Sequence, residues 1–510
     1  MSLSNVPSQE GQHVMHDKEH ILKELIGIVG ADAVSGEPED LVPYTRDAYA
    51  TILRQQIPLP DFVVLPESTD EVQRIVRLAN EYRIPLYPRS FGVNIAGSAL
   101  PYNAGIVIDL KKMNKIIEVN EETMTATIEP GVTWDRLRMK AKEKGLDIIP
   151  IGGPYQVSPV GNFLLTNITP YSTKYCMDRV VTLEAVLPNG EIIRTGSQST
   201  QVGAELNPYF RYAYGPDITG LFRGSLGNLG IITRLIIRLR PLAEIENNYY
   251  FAFDDMRAVL TAMQKIERLE ITRYSQIGNR ELSVRSILHP EKFKIKSERQ
   301  KVLSQLPPYS LTIGLAGKAK QIELYEEMVE EEIQKEGGKR SGLEDDWKQN
   351  LDEAAEGCSQ KVLHMFLPYG SFGTIVGCAP LSSVQGMAEV VERTVKKYGL
   401  RDAIMDEPLT PEFIVIPWDR CSTVYVEHDI LYDPLDAEAV QTATKCLREC
   451  YVELFTKFGA THTMPNQTFL RLMMPSYVEL LMGIKKLVDP NGILLAGGPY
   501  SFELGSKGKQ

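Results

Sequence analysis

The sequence predicts a two-domain α+β protein. Its 510 residues exceed the size at which a single hydrophobic core stops growing. From residue 60 to about 242, short β-rich runs alternate with helical periodicity. From 243 to 455, longer charged helices stand between strands such as SLTIGLAG and FGTIVGCAP. The change of texture separates two units. An N-terminal helical segment at 1–59 precedes them, and a C-terminal segment at 456–510 is expected to return to the first unit.

Each element has a local cause. DFVVLP is a short β-branched run, and STDE then supplies Ser68 as an N-cap with an acid three residues on, the capping-box pattern. Val72, Ile75, Val76 and Ala79 recur at helical spacing, and IPLYP returns as a strand. AGIVIDL, KIIEVN and TATIEP read as strands. Thr133 caps a helix from Trp134 to about Lys144, and the turn Asn189-Gly190 joins DRVVTLEAVLP to EIIRTG. In the second unit LYEEMVEEEIQKEGGKR is a helix with a solvated acidic face. AEAVQTATKCLRECYVELFTKF is a helix that sets Cys446 and Cys450 on one face. VELLMGIKKLVDPNGILLAGGPY is a helix ended by a turn and a glycine-rich tail.

Composition narrows the function classes. With 43% hydrophobic and 24% charged residues the chain is an ordinary globular one. Its net charge of −11 disfavours a nucleic-acid partner, which usually demands a basic face. The polar start and the lack of a long apolar run predict no membrane span and a cytoplasmic protein. Six cysteines show no C-x-x-C pair or metal-finger spacing, so reduced thiols and no metal site are expected. His13, His16 and His20 are read as part of a polar, frayed terminal helix.

The stretch PRSFGVNIAGSAL, residues 88–100, places glycines, small hydroxyl residues and an asparagine directly after a strand. Glycine allows close backbone approach to a ligand, and successive N–H groups in such a turn form a nest for an anion such as a pyrophosphate.

The order FVVLPESTDEVQRIVRLANEYRIPLYPRSFGVN, TATIEPGVTWDRL, VGNFLLTNITPY, LEAVLPNGEIIRTG and YGPDITGLFRGSLGNLGIITRLIIRLRP resembles the FAD-binding domain of the vanillyl-alcohol oxidase and p-cresol methylhydroxylase family. The match spans residues 60 to 241, and 411 to 500 more loosely. YGPDITGLF looks most like the branch that oxidises para-substituted phenols. The resemblance implies an FAD-binding domain with a larger α+β cap domain built on an antiparallel sheet. It implies backbone contacts to the FAD pyrophosphate from Ser90, Phe91, Gly92, Val93 and Asn94. Gly161, Asn162 and Thr169 would run beside the isoalloxazine, and Ile232 would meet the adenine through its backbone.

Departures from the family carry as much information. Relatives frequently tether the flavin to a His or Tyr five residues before the proline of an F-x-P run. Here the run is GCAP, and counting back from Pro380 reaches Ile375, so non-covalent FAD is expected. The tyrosines and arginine that hold the substrate phenolate in relatives do not carry over. Near their place stand Thr461, His462 and Thr463, and His462 is the candidate to supply a hydrogen bond or part-time charge.

Glu412 and Asp429 fall where p-cresol methylhydroxylase places carboxylates near its substrate. Strand alternation sets Tyr425, Glu427 and Asp429 on one face and Val426, His428 and Ile430 on the other, and Tyr425 replaces a histidine of the family. Tyr155, just before Gly161, falls near the site where relatives put a polar residue over flavin N5. The candidate proton handlers are therefore Tyr155, Glu412, Tyr425, Asp429 and His462. The expected activity moves a hydride from a small organic alcohol or para-substituted alkylphenol to FAD, in a homo-oligomer that passes electrons to an acceptor protein. Two alternatives stay open: a flavin-dependent 2-hydroxyacid dehydrogenase of the same superfamily, and a non-catalytic electron-transfer subunit.

Overall fold

The computed structural model describes residues 18–47, 57–93, 97–149, 154–165, 179–200, 208–355, 372–402, 404–433, 435–461, 470–499 and 501–502. The first unit holds two main sheets and a short two-stranded pairing of Leu146–Asp147 with Arg240–Pro241. In the four-stranded sheet, Phe62–Val64 and Leu86–Arg89 both run parallel to the strand between them, Ile106–Asp109. Parallel neighbours need a crossover, and the helix Thr69–Tyr82 supplies it. Ser68 caps this helix by accepting from the Glu71 N–H at 3.2 Å, and Val72, Ile75, Val76 and Ala79 are buried, with Leu78 beside them. The five-stranded sheet is antiparallel, in the order Ile116–Asn120, Thr125–Ile128, Ile231–Arg238, Val180–Val186, Ile192–Arg194.

Two local readings need refinement. The helix expected to run to about Lys144 is Trp134–Lys142. Thr133 stands at its N-cap without capping it, because the hydroxyl donates to the Asp135 carboxylate instead. His20 lies on the helix Lys18–Val29 and meets the Tyr82 hydroxyl at 3.1 Å.

The second unit is built on a seven-stranded antiparallel sheet. Its order is Lys339–Arg340, Ile245–Phe253, Tyr309–Gly317, Thr272–Asn279, Glu412–Trp418, Thr423–Leu431, Phe372–Ala379. The largest core lies on one face, where the helices Met256–Glu267, Ala319–Lys335, Val384–Tyr398 and Ala437–Phe458 cover Ile375, Phe413, Val415, Val424, Val426 and Ile430. Cys446 and Cys450 are both buried in this layer as free thiols. The opposite face of the last three strands is left for other contacts.

The C-terminal segment closes on the first unit. The Leu86 N–H donates to the Ile493 carbonyl at 2.7 Å, and the Leu495 N–H to the Leu86 carbonyl at 2.9 Å. Lys485, 2% exposed, donates from Nζ to Asp489 at 2.6 Å and to the carbonyls of Asn228 and Leu494 at 3.0 Å each. Among the described residues no helix is long and apolar enough to cross a membrane. Replacing one partner of a buried ion pair strands the other charge. Lys485→Met is therefore expected to lower unfolding free energy by about 3–5 kcal/mol, read by urea denaturation.

Candidate active site

Three neighbouring strands place the acids. Glu412 lies opposite Asp429, Ile414 opposite Glu427, and Ile416 opposite Tyr425. On the other side Thr374 faces Asp429 across the ladder, and Val376 faces Glu427. With side chains alternating along a strand, Tyr425, Glu427, Asp429, Glu412 and Thr374 share the face turned away from the helices.

A cation enters this face from the helix Arg280–Ile287. Arg285 Nη2 donates to Asp429 Oδ2 at 2.8 Å and forms an ion pair with Glu412. Tyr425 donates its hydroxyl to Glu427 Oε2 at 2.5 Å, and its ring stacks on Trp418 at 6.3 Å. Glu412 and Asp429 are 3% and 2% exposed. Tyr425 and Glu427 remain half-buried, which marks them as the open side of the cluster.

Three carboxylates crowd one guanidinium here. Burial disfavours each charged form, and neighbouring carboxylates repel one another. Burial first, and then Asp429, push Glu427 up to about 8. Burial pushes Glu412 up to about 8 against the pull of Arg285. The Tyr425 phenol is held well above its usual range by burial and by Glu427. The cluster therefore retains a proton at neutral pH and can release it in the mildly alkaline range.

The same face carries unmet hydrogen-bonding groups. Among the described residues, Asp429 Oδ1, Thr374 Oγ1 and Trp418 Nε1 are buried without a hydrogen-bond partner. Buried polar atoms are ordinarily satisfied, so their convergence on one face marks a place for a ligand's polar groups.

The glycine-rich loop lies in the first unit. Gly92 adopts φ +66°, in the left-handed region, while Phe91 and Val93 are 37% and 45% exposed. The loop meets a wide helical turn, Val160–Leu165. A Cβ on Gly161 would touch Ser90 Oγ at 3.6 Å and otherwise project into open space. Asn162 is fixed by accepting from Trp134 Nε1 at 3.3 Å. The Arg89 guanidinium lies against Gly92, and the open space beside Gly161, flanked by exposed apolar side chains, fits a nucleotide cofactor of the FAD kind.

Other expected residues lie away from the acid cluster. Tyr155 is 1% exposed, packed in the core of the five-stranded sheet with the Arg138 guanidinium 5.7 Å from its ring centre. It is a packing residue there and not part of the acid cluster. Ile232 is likewise a core side chain, beside a ladder irregularity between Ile232 and Arg234 that interrupts backbone pairing. Ile375 points into the helix-packed core, so the residues on the cluster's face are Thr374 and Val376. Asn94, Thr169 and His462 lie outside the described residues. No local signal in the sequence points to Arg285, and Glu427 is legible only through strand alternation. No group of His, Cys, Asp and Glu among the described residues is arranged to hold a metal ion.

Residues 60–196 match the FAD binding domain family. The chain is 27% identical to the 4-cresol dehydrogenase (hydroxylating) flavoprotein subunit of Pseudomonas putida, over 92% of this chain and 93% of that one. Its fold matches 4-ethylphenol oxidase from Gulosibacter chungangensis, solved with isoeugenol, with a TM-score of 0.81 at 20% identity, covering 98% and 99% of the two chains. It matches p-cresol methylhydroxylase, solved with substrate bound, with a TM-score of 0.80 at 23% identity, covering 95% and 96%. The chain is an FAD-dependent oxidoreductase with the two-domain α+β fold of p-cresol methylhydroxylase and 4-ethylphenol oxidase.

Proposed function

We propose that the chain oxidises a small organic alcohol or a para-substituted alkylphenol held on the acid-bearing face of the seven-stranded sheet. The observation that carries this reading is Glu427, a carboxyl of raised pKa bonded to Tyr425 on a face where polar atoms stand without partners. FAD, when bound, supplies the acceptor for the hydride that leaves the donor carbon. Ser90, Phe91, Gly92, Val93, Gly161 and Asn162 would hold it, together with Asn94 and Thr169.

The side chains manage the accompanying proton. Tyr425 occupies Glu427 Oε2, which orients the carboxylate and leaves Oε1 to take the proton of a substrate hydroxyl. Asp429 adds negative charge that keeps Glu427 basic. Arg285 is engaged by Glu412 and Asp429, so an incoming carboxylate would meet acids. That weighs against a 2-hydroxy acid as substrate. Thr374 and Val376, the residues on the cluster's face of their strand, offer no imidazole or phenol, which supports non-covalent FAD. The relative named as a flavoprotein subunit supports a protein electron acceptor.

Because Glu427 becomes a base only as its proton leaves, kcat/KM for a benzylic alcohol or alkylphenol is expected to rise through about pH 8. Glu427→Gln should lower kcat roughly 100-fold or more and flatten that rise; wild-type rates in the variant would overturn the assignment. Stability carries the opposite sign. A carboxyl whose folded pKa is raised stabilises the fold below its unfolded pKa and loses that contribution as pH climbs through the folded value. Glu427→Gln should therefore gain in melting temperature relative to wild type on going from acid to alkaline buffer.

Two further measurements address the cofactor. Gly161→Leu should fold, by circular dichroism, yet emerge colourless from gel filtration, while Gly161→Ala keeps its FAD. Acid precipitation of the holoprotein should leave all yellow colour in the supernatant.

A further inference from the structure

The strand that carries Glu427 and Asp429 also bears a polar residue on its other face. His428 is 2% exposed, and neither ring nitrogen has a partner among the described residues. Burial lowers its pKa to about 3, so the imidazole is neutral, with one donor and one acceptor nitrogen. An imidazole buried without partners is costly.

His428 lines a cavity of about 180 Å³. Its buried end is formed by His428, Phe413 and Asn279, the Phe413 ring lying 5.1 Å from the imidazole. Asn279 is largely committed, with one Nδ2 hydrogen to spare. Its Nδ2 donates to the Pro411 carbonyl at 2.9 Å, and its Oδ1 accepts from the Leu282 and Phe413 N–H groups at 3.2 and 3.1 Å. Tyr309 forms part of the wall, and the more open side carries Glu281, Glu392 and Arg280. Two carboxylates against one guanidinium leave that rim acidic. Burial pushes both carboxyls upward, so each gains from a positive charge brought alongside.

We propose that this cavity, on the reverse face of the catalytic strand, binds a small amino alcohol. The hydroxyl meets His428, which it can serve in either tautomer because a hydroxyl both donates and accepts. The methylene chain lies along Phe413 and Tyr309, and the ammonium sits between Glu281 and Glu392. A neutral diol would leave the rim carboxylates unpaired, and a simple amine would leave His428 unpaired. The inference is independent of the substrate assigned to the acid-bearing face.

Equilibrium dialysis of the holoprotein with 4-aminobutanol tests it. Saturable binding at one site is expected, with butylamine and butanediol each roughly tenfold weaker. Glu392→Gln, at an exposed position, and His428→Phe, which fills the cavity, should each weaken binding at least tenfold. Glu427→Gln, on the other face, should leave it unchanged. No saturable binding to the wild type would overturn the proposal. So would equal binding of all three probes, or binding that survives Glu392→Gln and is lost in Glu427→Gln, which would place the amino alcohol at the acid cluster instead.

Discussion

The structure of the site depends on one guanidinium. The ladder sets Glu412 directly opposite Asp429, and like charges in that relation destabilise a sheet. Removing both from water makes the problem worse. Arg285 resolves it by reaching both carboxylates from a helix outside the sheet. Its position follows from the start of that helix. Asn279 caps the helix through the Leu282 N–H while bonding Pro411 and Phe413 on either side of Glu412. One side chain thus ties the helix that brings the cation to the strand that brings an acid.

The strand Thr423–Leu431 serves two environments through its alternation. Val424, Val426 and Ile430 are fully buried against the helices, and burial of such side chains contributes about 1.5–3 kcal/mol each. That apolar face holds the strand in place while the other carries an acid cluster that opposes folding above the carboxylate range. His428 breaks the division, since it is a polar residue on the apolar face, and the cavity beside it is where that conflict is expressed.

Much of this was readable from residues near one another in sequence. Ser68 with Glu71, followed by apolar residues at helical spacing, defines a helix by local chemistry alone. Alternation alone sorted Tyr425, Glu427 and Asp429 from His428. Arg285 was not readable, because its partner Asp429 is 144 positions away and a single arginine in a short helix leaves no periodic trace. Ile375 shows how narrow the margin is on a strand: a shift of one residue exchanges the faces, and counting back from Pro380 landed on the core side. Tyr155 shows a related limit, since an aromatic beside glycines reads the same whether it lines a cavity or packs beneath Arg138.

The proposed cofactor cradle draws its two walls from distant parts of the chain. The Val160–Leu165 turn is held where the Gly224 and Leu226 N–H groups donate to the Leu164 and Leu165 carbonyls. That stretch leads to Asn228, whose carbonyl accepts from Lys485 and whose side chain accepts from the Phe502 N–H. Lys485 in turn pairs with Asp489, whose carboxylate accepts from the Ile493 and Leu494 N–H groups. Ile493 and Leu495 bond to Leu86, in the strand that runs into the glycine-rich loop. The path closes a ring from one wall to the other through a single buried ion pair. Preorganised backbone donors act on an anion without the cost of being assembled around it. On this geometry the C-terminal tail is a structural part of the proposed cradle, since it ties together two loops that share no hydrogen-bonded ladder among the described residues.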